Sequence, residues 1–249
     1  MSRLRSHTHR MPIGGPGADM RFREIGRQVE GVAMRQRAGG QIITPRTSIS
    51  EAVAALGRKG GRIFLGEGEW HFKDTLDITR PNVEIIGASP GASIITRLST
   101  MTGAAIKLSG AECRIEGIRF EDASSTAGHK TIEIAANKCT VSRCTFADCN
   151  IGVYGTGIEF LSVDQCTFLD VAQAGIYITG SSEWNKALGN TFVSYPSGGY
   201  AVFYDDNVTR SNIVGNIADT TPTKAYSYKS AGAMVAAYVA GNVGTIDVR

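Results

Sequence analysis

Ile115–Phe120 reads I-E-G-I-R-F, Val141–Phe146 reads V-S-R-C-T-F and Val163–Phe168 reads V-D-Q-C-T-F. The phrase continues as A-L-G-N-T-F at Ala187–Phe192, I-V-G-N-I-A at Ile213–Ala218 and V-A-G-N-V-G at Val239–Gly244. Alignment puts Ile118, Cys144, Cys166, Asn190, Asn216 and Asn242 in one column, at successive spacings of 26, 22, 24, 26 and 26 residues. Beside it runs an apolar column of Ile115, Val141, Val163, Ala187, Ile213 and Val239. A repeat of this length with strand-like alternation and no helical run predicts a solenoid, because such units bury their faces only against one another. Its β-branched residues and glycines suit one turn of a parallel β-helix, with coils stacked about 4.8 Å apart.

A second alternating stretch agrees with this. Ile106 and Leu108, Ile132 and Ile134, Ile151 and Val153, Ile176 and Ile178, and Val202 and Tyr204 are expected to point inward. Asn190, Asn216 and Asn242 would form a ladder in which each turn amide bonds to its copies above and below. With 249 residues, 42% of them hydrophobic, and 30 Gly, the chain can bury one long core but has little room for a second large domain. No apolar run is long enough to cross a membrane, and Met1–Gly15 has Arg and His where a secretory signal needs an uninterrupted apolar stretch. Synthesis in the cytosol with no membrane insertion is therefore expected. Five Cys cannot all pair within one chain. Cys113 stacks on Cys139 and Cys144 on Cys166 in the alignment, Cys149 stands apart, and no C-x-x-C pair suggests zinc, so buried free thiols are expected.

Charge is unevenly placed. Residues 1–46 carry nine Arg against Asp19, Glu24 and Glu30, a balance of +6, whereas the remainder has 17 Lys plus Arg against 20 acids. A basic arm ahead of a mildly acidic body suggests that the arm touches something the body does not. The arm has no nucleic-acid motif and Phe22 is its one aromatic residue, so a protein surface is expected rather than nucleic acid. Met11–Ala18 should run extended, and Asp19 is placed to cap a short helix reaching about Ala38. On that helix Phe22, Ile25, Val29 and Val32 would form one apolar stripe, with Arg21, Arg23 and Arg27 beside it. The arm, residues 1–46, reads as a docking segment. The body, residues 47–249, opens with a capping helix marked by Ser48 and Glu51, has an apolar face of Ala52, Val53 and Leu56, and is stopped by Gly57 and Gly60-Gly61. A helix there would cover a sheet end that is otherwise open to aggregation.

From Ile49 to Ile95 the chain runs I-S-E-A-V-A-A-L, then G-G-R-I-F-L-G-E-G-E-W-H-F, then L-D-I-T-R-P-N-V-E-I-I-G. This resembles the opening of pectate-lyase-like β-helices, particularly those of tailed-phage spikes, and the resemblance extends over residues 47 to 244. It implies a right-handed parallel β-helix that commonly trimerises. The superfamily contains lyases, hydrolases, epimerases and proteins without chemistry, so the resemblance does not select an activity.

A lyase of this family is expected to cluster carboxylates on outward positions of neighbouring coils. The outward column of the second stretch reads Lys107, Glu133, Tyr154, Tyr177, Phe203 and Ser227, with one acid. A better acidic column lies two residues after each repeat aromatic, at Asp122, Asp148 and Asp170. Stacked coils would space these by about 5 Å, a distance suited to general acid and base work on a glycan, but an Asp that ends a strand and bonds its own turn is the reading such a position favours. Asp205 and Asp206 read as a solvated turn. Tyr154, Tyr177 and Phe203 make an outward aromatic ladder that needs a partner, either a sugar ring or the equivalent sheet of another subunit. His7 and His9 form an H-x-H pair; threefold symmetry would gather their imidazoles around a transition metal, and two solvated His in a tail is the alternative. No other cofactor is implied.

Two functions follow. The first is a structural virion protein: a trimeric β-helix spike, fibre or decoration anchored by its basic arm to capsid or tail proteins, with host glycan as a further contact. The second is a lyase or glycoside hydrolase acting on bacterial surface polysaccharide.

Overall fold

The structure, a computed structural model, describes residues 40–122, 128–193, 199–205, 207–218, 226–228, 238–240, 242 and 246–248. These all belong to a compact unit running from Gly39 to Arg249. The chain winds as a parallel β-helix. Each complete coil contributes one short strand to each of three sheets, which among the described residues hold nine, eight and seven strands. One coil shows the order: Thr140–Ser142 lies in the first sheet, Thr145–Ala147 in the second and Ile151–Thr156 in the third. The next coil repeats it with Ser162–Asp164, Thr167–Leu169 and Ala174–Thr179. Val141 pairs in parallel with Ile115 on one side and Val163 on the other, so the apolar column read from the sequence is a real stack, buried from Ile115 to Ile213.

The stacking has a clear energetic basis. Phe120, Phe146, Phe168 and Phe192 lie inside the second sheet with ring centroids 5.2, 4.8 and 4.8 Å apart. Each ring is fully buried, a contribution of about 2–3 kcal/mol before packing with its neighbours is counted. At the turn between the first and second sheets, Asn216 Oδ1 accepts from the Asn190 backbone N–H at 2.8 Å and from Asn190 Nδ2 at 2.9 Å. Asn242 Oδ1 does the same for Asn216 at 2.8 and 3.0 Å. Asn190 Oδ1 in turn accepts from the Cys166 N–H, so the ladder ends where thiols replace amides. All five Cys are buried and free. Burial pushes the Cys139 thiol up to about 11 and that of Cys149 up to about 12, which keeps both protonated and inert.

The first end of the solenoid is closed as expected. A helix spans Ile49–Ala55, Ser48 caps it by accepting from the Glu51 N–H, and Ile49, Ala52 and Val53 are its buried side. Arg80 Nη1 donates to the carbonyls of Val53 and Ala54 at 3.1 Å and also to that of Leu56, satisfying the helix C-terminus.

One boundary needs correction, and one inward set gains a member. The strand Gly40–Ile43 pairs in parallel with Gly61–Leu65 and buries Ile43, so the last residues of the presumed arm are already the first rung of the solenoid. In the third sheet, Ile132 pairs with Val153 and Ile134 with Gly155, so Gly155 joins Val153 as a stacked inward position, while Ile151 pairs with Lys130 and is buried as well. Gly155 faces the core, and the space its missing side chain leaves is filled by Ile158, whose Cδ1 lies 2.3 Å from where a Cβ would stand. The remaining inward positions stack as read.

Candidate functional site

In a β-helix, function lies on the outer faces, where side chains that alternate with the core positions stand in columns one coil apart. On the third sheet, register places Tyr154, Tyr177 and Phe203 directly above one another, continuing downward through Glu133 and Lys107. The rings meet edge to face, with centroids 5.6 Å apart for Tyr154–Tyr177 and 4.9 Å for Tyr177–Phe203. Tyr200 leans on Phe203 at 4.7 Å, and the Lys130 ammonium sits 3.8 Å above the Tyr154 ring. All four rings remain partly exposed. Lys130 also pairs with Glu133, so the charge at the foot of the ladder is neutralised.

The three candidate carboxylates are not brought together. Asp148 and Asp170 do stand one coil apart at exposed turns, both in left-handed backbone with φ of 55° and 51°. Each ends its strand, with its backbone N–H bonded to the carbonyl of Leu169 or Val193 in the following coil. Asp122 shares their offset from the aromatic but remains in a strand and turns inward, where its Oδ1 meets Arg97 Nη1 at 3.1 Å. Both partners are essentially excluded from water, and Arg97 further donates to the carbonyls of Met101 and Gly103. This pair is structural: it holds a loop against the solenoid. Asp205 accepts from Thr179 Oγ1, and Asp206 lies outside the described residues.

A polar cluster that the repeat reading missed occupies the outer face of the first sheet. Register stacks Glu116, Ser142 and Asp164 in one outward column. Glu116 is clamped by Arg114 at 2.5 Å and by Arg143. Ser162 Oγ donates to Asp164 at 2.9 Å. Burial raises the Asp164 pKa above the ordinary carboxylate value, and the hydrogen bond from Ser162 and the charges of Lys186 and Arg114 only partly offset this. Arg114, Ser142, Arg143, Asp164, Gln165 and Leu188 line a shallow groove of about 470 Å³ in which the buried Ser142 Oγ has no hydrogen-bond partner. The available signal was the alternation itself, which puts these residues opposite the Ile115–Val141–Val163 core column.

The docking-arm residues Arg21, Phe22, Arg23, Ile25, Arg27, Val29 and Val32, together with His7 and His9, lie outside the described residues. Among the described residues no group of three or more His, Cys, Asp or Glu is placed to hold a metal ion, and no helix is long and apolar enough to cross a membrane.

Three sheets, parallel register and ladders of like residues define a β-solenoid protein. More particularly, the chain belongs to the right handed beta helix region family, whose model matches residues 91–243. No curated protein matches it. Among solved structures, a variant of the catalytic domain of GH87 alpha-1,3-glucanase in complex with nigerose is similar at 17% identity and a TM-score of 0.61, over 82% of this chain and 38% of that one. Pectin methylesterase in complex with a hexasaccharide is similar at 12% identity and a TM-score of 0.54, over 76% of this chain and 70% of that one. ORF18 of Geobacillus virus E2 aligns over 90% of this chain and 63% of its own at 12% identity, with a TM-score of 0.46. The chain thus spans well under half of the glucanase domain, and at these identities the likeness is one of fold.

Proposed function

We propose that this protein is a structural appendage of a tailed-phage-like particle, a homotrimeric β-helix spike or decoration that is held to the particle by its basic N-terminal arm and meets host-surface glycan with its outer face. The observation that carries this reading is the Tyr154–Tyr177–Phe203 ladder on the third sheet. Aromatic rings standing in register on a sheet face are an incomplete contact, and a threefold arrangement of identical sheets completes it without a second protein. Several outer-face carboxylates are tied in ion pairs between coils, as in Arg62–Glu84, Lys138–Glu112 and Arg210–Glu183, which supports a scaffold role for those positions. The surplus of Arg in the arm supports attachment to an acidic protein surface.

Because the solenoid already begins at Gly40, the test is deletion of residues 1–39, which leaves the first strand intact. Particles carrying the truncated chain are expected to lose most of it on sedimentation through a density gradient. Retention equal to that of the full chain would refute the docking role.

A second reading, a glycan-degrading enzyme, is favoured by one observation: Asp164, with its raised pKa, faces a groove flanked by Arg114 and Arg143. Release of reducing ends or unsaturated products from host polysaccharide, abolished in Asp164→Asn, would establish this reading in place of the first.

A further inference from the structure

The turn that leads into the first sheet carries a column of its own. Asn82, Glu112, Lys138, Phe160, Trp184 and Arg210 occupy it in successive coils, all in left-handed backbone with φ of 55°, 61°, 60°, 58°, 58° and 51°. The conformation is imposed by the coil ladder, since the N–H of each of the first five bonds to a carbonyl of the next coil, as in Phe160 to Glu183 at 3.1 Å and Trp184 to Thr209 at 3.2 Å. Left-handed backbone suits Asn and is unfavourable for bulky aromatics. Elsewhere the column accepts Asn, Glu, Lys and Arg, so the fold itself has no need of aromatic residues at this turn.

Two consecutive coils nevertheless place Phe160 and Trp184 there, 47% and 45% exposed, and they are among the few large apolar side chains so exposed in the described residues. Their rings are parallel to within 2°, with centroids 6.3 Å apart. Arg210 lies over the Trp184 ring at 5.4 Å and is tied to Glu183 at 3.0 Å, which fixes the stack from one side. Glu159 and Glu183, paired one coil apart, flank the rings. The result is a rigid apolar strip with carboxylate acceptors and a guanidinium at its edge.

The size and charge of the strip select its partner. A whole aromatic side chain buries roughly 150–250 Å², so two half-exposed rings offer about 200 Å², far short of the roughly 800 Å² per partner of a stable protein interface. Two carboxylates against one arginine disfavour a polyphosphate or a polyuronate. An uncharged sugar ring fits both limits: its C–H groups meet the exposed flank of the two rings, and its hydroxyls donate to carboxylates and accept from the arginine. We propose that Phe160, Trp184 and Arg210, with Glu159 and Glu183, form a binding site for an uncharged saccharide, separate from the third-sheet ladder; the proposal rests on the glycan contact in the function above and locates it.

The chain has two Trp, of which Trp70 is buried, so the accessible emission reports on Trp184. Full-length protein is titrated with hexasaccharides of α-1,3-, α-1,4- and β-1,3-linked glucose and of N-acetylglucosamine, with oligogalacturonate as the acidic control. The expected result is a saturable emission change and protection from iodide quenching by at least one neutral probe, with a Kd of about 1 mM or tighter, weakened at least tenfold in Phe160→Lys. Lys138 shows that the column accepts this substitution, and an unchanged circular dichroism spectrum and melting temperature verify folding. Absence of any response, equal response in Phe160→Lys, preference for oligogalacturonate, or protection that rises with protein concentration alone would each overturn the site. Particle retention uses none of these residues, so failure here leaves the docking role standing, and loss of the docking role leaves this site standing.

Discussion

Asn216 illustrates how much one turn residue can carry. It accepts two hydrogen bonds from Asn190 and donates its amide to the Ala187 carbonyl and to Asn242, all in a buried or partly buried setting. Asn216→Ala leaves the buried Asn190 N–H without its acceptor, and an unsatisfied buried group costs about 1–3 kcal/mol. The substitution is therefore expected to lower the unfolding free energy by about 3 kcal/mol with an unchanged urea m-value. Asp164 contributes in the opposite sense. Because burial raises its pKa in the folded state, folding binds its proton more tightly than unfolding does, and the folded state is penalised once pH rises through the ordinary Asp value toward the raised one. Asp164→Asn should raise the melting temperature at pH 7, with the gain vanishing below about pH 3.5. A melting temperature that falls equally at both pH values would show that the hydrogen bond outweighs desolvation.

At the scale of elements, the columns were legible because a coil returns each turn and each inward position to the same place, so one side-chain type recurs at one spacing. Ile115, Val141 and Val163, the Asn ladder and the outward aromatic column were all read this way. What was not legible depends on geometry that the repeat does not encode. Ile151 and Val153 are both buried, but the residue of that coil that stands between Ile134 and Ile178 is Gly155, which no hydrophobic pattern marks and beside which Ile158 fills the space. Asp122 has the same offset as Asp148 and Asp170, yet its partner Arg97 lies 25 positions earlier and draws it inside. The left-handed column holding Phe160 and Trp184 is a property of the backbone, invisible in a sequence without a phrase at that turn. The capping helix supplies a test at this scale. Arg80 satisfies carbonyls at its C-terminus, so Arg80→Ala should lower stability by about 1–3 kcal/mol and speed amide exchange in Ile49–Ala55 and Gly61–Leu65 more than in later coils. Uniform acceleration along the solenoid would contradict a local cap.

For the whole molecule, the solenoid sets the range of available functions. Each coil contacts only its neighbours and the interior is filled by stacked apolar side chains, so among the described residues the outward columns are the positions open to a partner. Three such columns are present: the aromatic ladder of the third sheet, the Glu116–Ser142–Asp164 groove and the Phe160–Trp184 strip. Assigning the first to subunit contact leaves the other two free to face glycan. The most direct test of this division is the mass of the purified chain by sedimentation equilibrium, for wild type and for Tyr177→Glu. The account expects a wild-type species of three times the 26.5 kDa chain and dissociation to single chains in Tyr177→Glu with an unchanged β-sheet spectrum. A wild-type monomer, or a trimer indifferent to a charge in the middle of the ladder, would contradict it.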